Sequence, residues 1–148
     1  MEYRILGKTG LKVSVVGVGG LGFTRANLCT PDRKGLPEIE SIINRALDLG
    51  VNVFDTAYVY GGGIPEEGLG LVMKTRRKEA VILSRTHVYQ QSDNPVDTTL
   101  SLETSLKRLK TDVVDIYQLH DISSLESFEK VMRLGIYDAL KTAKKQGK

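Results

Sequence analysis

Two apolar patterns alternate along this 148-residue chain. One is the short, dense run of β-branched and aromatic residues that suits a strand covered on both faces. It occurs at Val15-Val-Gly-Val-Gly19, Val51-Asn-Val-Phe-Asp55, Ala80-Val-Ile-Leu-Ser-Arg85 and Val113-Val-Asp-Ile-Tyr-Gln-Leu-His120. The other is the helical spacing of three and four. Ile39, Ile42, Ile43, Ala46 and Leu47 predict a helix over residues 37–49, with Pro37 in its first turn and Gly50 ending it. Pro65-Glu-Glu67 opens a second helix, acidic at its start and basic at its end (Lys74, Arg76, Arg77), as the helix dipole favours. Asn94-Pro95 is an N-cap and first-turn pair for a third helix, with Leu102, Leu106 and Leu109 on one face and Glu103 paired to Lys107 four residues on. From Leu125 onward, Phe128, Val131, Met132, Leu140 and Ala143 continue a helical pattern that Gly135 interrupts.

Ahead of these units, Tyr3-Arg-Ile-Leu6 and Leu11-Lys-Val-Ser14 flank a Gly-bounded turn and predict a small hairpin. Residues 20–36 read as a long polar loop containing Gly and Pro. Four strand–helix alternations without a hairpin between the later strands call for parallel βαβ units. A doubly wound sheet and a (β/α)8 barrel then compete. Gly17-Val-Gly-Gly-Leu-Gly22 has dinucleotide-binding spacing, yet no helical pattern follows until about residue 37, which breaks the phosphate-at-helix-start geometry. The expected fold is therefore α/β, of the (β/α)8 TIM-barrel type. About the first four βα units are present, in a single domain over residues 1–148: a hairpin over 1–14, then the units over 15–148.

Composition narrows the function classes. Hydrophobic residues make up 41% and charged residues 26%, as in an ordinary globular domain. The net charge of +3 is a small surplus, and its densest patches (Arg76-Arg77-Lys78, and Lys141, Lys144, Lys145 and Lys148) fall at expected solvent-facing helix ends, so nucleic-acid binding is not expected. Cys29 is the only cysteine, which excludes an internal disulfide and fits a reducing compartment. No membrane-spanning run and no signal-peptide pattern is present, so the expected location is cytoplasmic.

The stretch Val51 to Gly61 holds the most chemistry. A buried strand runs into Asp55, then Tyr60, and stops at Gly61-Gly62-Gly63. Read alone, it is equally a hairpin strand with two packed tyrosines. Two later strands also end in a polar residue, Arg85 and His120. In a parallel barrel Asp55, Arg85 and His120 would emerge on one C-terminal rim with Tyr60 beside them. His87, two residues past Arg85, is a lesser rim candidate.

These residues lie in strings that resemble the aldo-keto reductases: Tyr3 to Ser14, Gly17-Val-Gly-Gly20, Ala46 to Ala57, Tyr60-Gly61, Glu66 to Gly70, Leu102 to Asp112, and Asp115-Ile-Tyr-Gln-Leu-His120. The resemblance implies a (β/α)8 barrel whose bottom is plugged by the hairpin. It also implies hydride exchange between a nicotinamide cofactor, usually NADPH, and a small-molecule carbonyl, with no metal. Asp55, Tyr60 and His120 match the family's acid, tyrosine and histidine. Tyr60 would protonate the carbonyl oxygen, and His120 would orient the carbonyl. A phenol with a pKa near 10 needs a nearby cation for this at neutral pH. The family supplies a lysine held by the aspartate, whereas this chain reads Ser84-Arg85-Thr86 there. Arginine keeps the charge but is planar and effectively never deprotonated. Gly19, Gly20, Leu21 and Asp55 would meet the nicotinamide end.

The chain reaches Lys148 where the family would enter its fifth strand. The resemblance thus implies either a fragment of a longer protein or a half-barrel that pairs with another half-barrel, for instance as a homodimer. Two functional readings stand: a reductase, and a non-catalytic half-barrel serving as an interaction or regulatory subunit.

Overall fold

A computed structural model describes residues 1–148. The hairpin forms from β1 (Tyr3–Ile5) and β2 (Lys12–Ser14), antiparallel with Tyr3 opposite Ser14. Gly7 and Gly10, at φ +52° and +78°, make the turn. The hairpin is stitched to the rest of the chain at the start of the second parallel strand. Asn52 does most of this: its Oδ1 accepts from the Ser14 amide at 2.7 Å, and its Nδ2 donates to the Lys12 carbonyl at 2.8 Å. The Tyr3 hydroxyl adds a bond to the Gly50 carbonyl at 2.8 Å.

Four parallel strands follow: β3 (Gly17–Gly19), β4 (Val53–Asp55), β5 (Val81–Thr86) and β6 (Ile116–Leu119). They pair in chain order, β3-β4-β5-β6. This unreversed order is that of one side of a barrel and contains no switch point of the doubly wound kind. With β4 pairing in parallel on both sides, the hairpin-strand reading of residues 51–61 falls. The crossovers are helices: α1 (Gly20–Arg25), α2 (Leu36–Asp48), α3 (Ile64–Arg76), α4 (Pro95–Leu109), α5 (Leu125–Arg133) and α6 (Ile136–Lys145).

Strand alternation sorts the two faces of the sheet. Val18, Phe54, Ile82 and Tyr117 turn toward the helices and join Ile39, Ile43, Leu69, Val72, Leu102, Leu106 and Leu109 in one apolar core. Asp55 and Arg85 take the opposite, concave face. The caps were legible: Asn94 Oδ1 accepts from the Val96 amide at 3.1 Å, and Gly135, at φ +71°, separates α5 from α6.

Several expectations need correction. The stretch predicted as loop after Gly19 contains α1, which starts at Gly20. It is one and a half turns long and is held by the buried Phe23 rather than by an apolar stripe or a side-chain cap. The basic pair Arg76-Arg77 is no solvated patch. Arg76 binds Asp48, Glu79 and the Asn44 side chain. Arg77 binds Thr111, Asp115 and the Ala80 and Val113 carbonyls, bracketing the entries of β5 and β6. Glu103 pairs with Lys148 on the C-terminal segment instead of with Lys107. His87 does not continue an extended segment beside Arg85: β5 ends at Thr86, and His87 (ψ 12°) caps a 3-10 turn.

Candidate active site

The concave face carries two polar pairs at the C-terminal strand ends. In the first, an Arg85 Nη2 hydrogen donates to Asp55 Oδ2. Register explains the meeting: Asp55 pairs with Leu83 on β5, so Arg85 lies two residues further along on the same face. In the second, the Tyr60 hydroxyl sits 3.5 Å from His120 Nε2, the two rings edge to face with centroids 5.7 Å apart. His120 follows β6 directly, and its amide donates to the Thr86 carbonyl at 2.8 Å, so the sheet itself aims the imidazole.

Tyr60 is placed by a strained turn. Gly61, Gly62 and Gly63 all have positive φ (+51°, +65° and +94°), which folds the chain back into α3 immediately after the tyrosine. A Cβ at Gly61 would come within 2.5 Å of the Cys29 Cβ, so only glycine lets this turn rest against residue 29.

The electrostatics divide the four residues. Burial pushes the Tyr60 phenol above its ordinary value, and the nearby Asp121 carboxylate adds to that; Arg25, at the end of α1, works against both. Burial pushes the His120 imidazole below its ordinary value, opposed by Asp121 and reinforced by the charges of Arg85 and of His87. At neutral pH this pairs a phenol that keeps its proton with an uncharged imidazole. Arg85 is therefore close enough to oppose a charge on His120, while its hydrogen bond goes to Asp55.

Of the four residues expected at the rim, Asp55, Arg85 and His120 stand at consecutive strand ends and Tyr60 on the turn after Asp55, and they form two touching pairs. Gly19 ends β3 in register with Asp55, and a Cβ there would meet nothing within 4 Å, so the strand end is open beside the carboxylate. Gly20 differs, because a Cβ there would approach Thr56 Oγ1 to 2.8 Å. It serves packing, while Leu21, half-buried on α1, is the neighbour that faces outward. Of the residues expected to meet the nicotinamide end of a dinucleotide, Gly19 and Leu21 thus remain accessible beside Asp55.

The sequence reading left out the residues that hold the turn. Glu66, fully buried in the first turn of α3, accepts from Ser84 Oγ at 2.7 Å and from Arg108 Nη1 at 3.2 Å. Their one signal in the sequence was membership of the strings Glu66–Gly70 and Leu102–Asp112.

The sequence model of the aldo/keto reductase family matches residues 15–148. This chain belongs to that family. L-galactose dehydrogenase of Arabidopsis thaliana is 34% identical to this aldo/keto reductase chain, across all of it and 46% of that protein. A Pseudomonas aeruginosa protein assigned to the same family superposes with a TM-score of 0.77 at 34% identity, over 98% of this chain and 56% of that one. An aldo-keto reductase of Klebsiella pneumoniae solved in complex with NADPH gives a TM-score of 0.62 at 26% identity, over 93% and 47%. The aldo/keto reductase chain described here spans about half the length of the curated relatives it matches.

Proposed function

We propose that this aldo/keto reductase chain carries the proton-donating side of an NADPH-dependent carbonyl reduction. The observation that carries the reading is the Tyr60–His120 pair, at 3.5 Å, on the same concave rim as Asp55 and Arg85. NADPH, when bound, supplies the hydride; Gly19, Leu21 and Asp55 would hold its nicotinamide end, with Gly20 packing beneath them. His120 directs an imidazole N–H at the carbonyl oxygen and sets its position. Tyr60 gives that oxygen its hydroxyl proton as negative charge develops there, which turns the carbonyl into an alcohol. Arg85 pairs with Asp55 at the strand end, and its charge adds to the burial that keeps His120 uncharged. Its guanidinium takes the position that the family gives to lysine, without a hydrogen bond to the phenol, and slow turnover follows from that. The substrate is a small-molecule carbonyl, and the lone Cys29 favours a reducing, cytoplasmic setting.

Titrating NADPH into the chain while following its fluorescence tests the reading. Saturable binding below ~100 µM, a range common for enzyme ligands, is expected. No binding at that concentration sinks it and favours the second reading.

That second reading is a non-catalytic half-barrel acting as an interaction or regulatory subunit. One observation supports it: the arginine engaged with Asp55. The open sheet would be covered by the remainder of a longer chain or by another half-barrel, for instance in a homodimer. A sharp monomer boundary at low micromolar concentration in analytical ultracentrifugation would exclude the homodimer.

A further inference from the structure

We propose that Arg108, on the last turn of α4, is a positioning residue that sets where Tyr60 stands relative to His120. The inference rests on the reductase reading of the rim, but the contacts that carry it lie outside the four residues discussed so far. Arg108 Nη1 donates to the Tyr58 carbonyl at 2.8 Å and to Glu66 Oε2 at 3.2 Å. Its guanidinium also stacks over the Tyr58 ring, 4.8 Å from the centroid. One side chain thus grips the backbone two residues before Tyr60 and the first turn of the helix that follows it.

The grip is built into the packing on each side. A Cβ at Gly70 would lie 2.0 Å from the Arg108 carbonyl oxygen, so glycine at 70 lets α4 rest directly on α3. That close approach brings the Arg108 side chain across to the turn, where a Cβ at Gly63 would meet its Cζ at 2.3 Å. The anchor for the charge is Glu66, fully buried and held on its other oxygen by the equally buried Ser84. Ser84 is the residue before Arg85, and the Arg85 carbonyl accepts from the Tyr58 amide at 2.9 Å. Tyr58 is therefore clasped between β5 and α4, and the phenol two residues on inherits its position from both. A lysine at 108 would keep the charge but lose the planar group that stacks on the Tyr58 ring while one of its nitrogens serves both acceptors.

The test compares the wild-type chain with Arg108→Lys and Glu66→Gln, using isotope-labelled histidine and tyrosine in NMR without cofactor or substrate. The chain has two histidines, so His87 serves as the internal control. In both variants the Tyr60–His120 ring contact is expected to weaken, and the His120 titration midpoint to move up toward the ordinary value as its cover loosens. His87 should stay fixed. With NADPH and a carbonyl substrate, kcat should fall about tenfold or more at unchanged KM. If melting temperature drops while the ring contact and the His120 midpoint hold, Arg108 is a structural brace only and the proposal is overturned. If the wild-type chain shows no turnover, the reductase reading fails, while the NMR comparison still decides the role of Arg108. Should Arg108→Lys not fold, Glu66→Gln, nearly isosteric, carries the same readouts.

Discussion

Replacing Gly63 by alanine, with Gly62→Ala as its partner, isolates the contact between the glycine turn and Arg108. Both positions have positive φ, so each alanine meets the left-handed penalty of about 1–2 kcal/mol, offset by up to about 1 kcal/mol from a stiffer unfolded chain. They differ in what the new methyl touches. At Gly62 there is nothing within 4 Å; at Gly63 the Arg108 guanidinium is 2.3–2.6 Å away. That guanidinium is the movable end of a long side chain, so overlap itself costs little. Moving it breaks the bonds to Tyr58 and Glu66, and hydrogen bonds to charged groups contribute about 1.5–3 kcal/mol each. The expected loss is about 1 kcal/mol for Gly62→Ala and about 4–7 kcal/mol for Gly63→Ala, the latter roughly 10–25 °C in melting temperature for a chain of this size. Thermal unfolding followed by far-ultraviolet circular dichroism measures both. In an Arg108→Ala background the excess at Gly63 should vanish, because the two residues share one contact. Equal losses at the two glycines, or an excess that survives without Arg108, would refute the reasoning.

Three further outcomes follow from the same coordinates. Leu109→Ala removes a fully buried side chain from the core and should cost about 2–5 kcal/mol in urea unfolding, whereas Leu100→Ala, at an exposed position of the same helix, should stay within about 0.5 kcal/mol. Burial pushes the Tyr117 phenol up to about 12. The unfolded chain therefore ionises first, and stability falls as pH climbs from about 10 toward that value. A pH-jump absorbance titration should show one late tyrosine that Tyr117→Phe removes. In the proposed reaction, the raised phenol and the lowered imidazole keep Tyr60 protonated and His120 neutral from about pH 6.5 to about pH 10, so the rate should be flat there. Arg85→Lys should raise that rate or bend its profile within the plateau, and an unchanged profile would remove Arg85 from the reaction.

How much was legible depended on where the information sits. The strands and long helices are written in apolar periodicity, so β4 and α2 appear within two residues of their predicted ends, and α4 starts at Pro95 as its cap predicts. The rim followed because Asp55, Arg85 and His120 end consecutive strands, and strand ends are set by local pattern. Their division into two pairs was not legible, since it depends on register and on which way a guanidinium turns. Helix α1 was missed because it has no period of its own and exists through Phe23 and the close fit of Gly20 on Thr56. Arg108 and Glu66 were missed for a related reason. In sequence they are polar residues on amphipathic helices, indistinguishable from solvated ones, and only the Gly70 approach turns them inward. The Arg76-Arg77 pair taught the same lesson, as a charge run whose partners include Asp48 and Asp115, 28 and 38 residues away.

The strand order has a consequence for how the chain acquires its shape. Each strand of the sheet pairs with the one made just before it, and each helix covers the ladder just formed. No strand has to wait for a distant stretch to be synthesised. Each pairing still closes a crossover of roughly thirty residues, so loop entropy must be lost before its contacts form. On a ribosome the sheet can grow vectorially, one βα unit at a time, with the Asn52 clasp closing the hairpin onto the start of β4 as soon as that segment emerges. The growing edge would then pass from β3 to β6 during synthesis, leaving the newest strand as the surface exposed to chaperones.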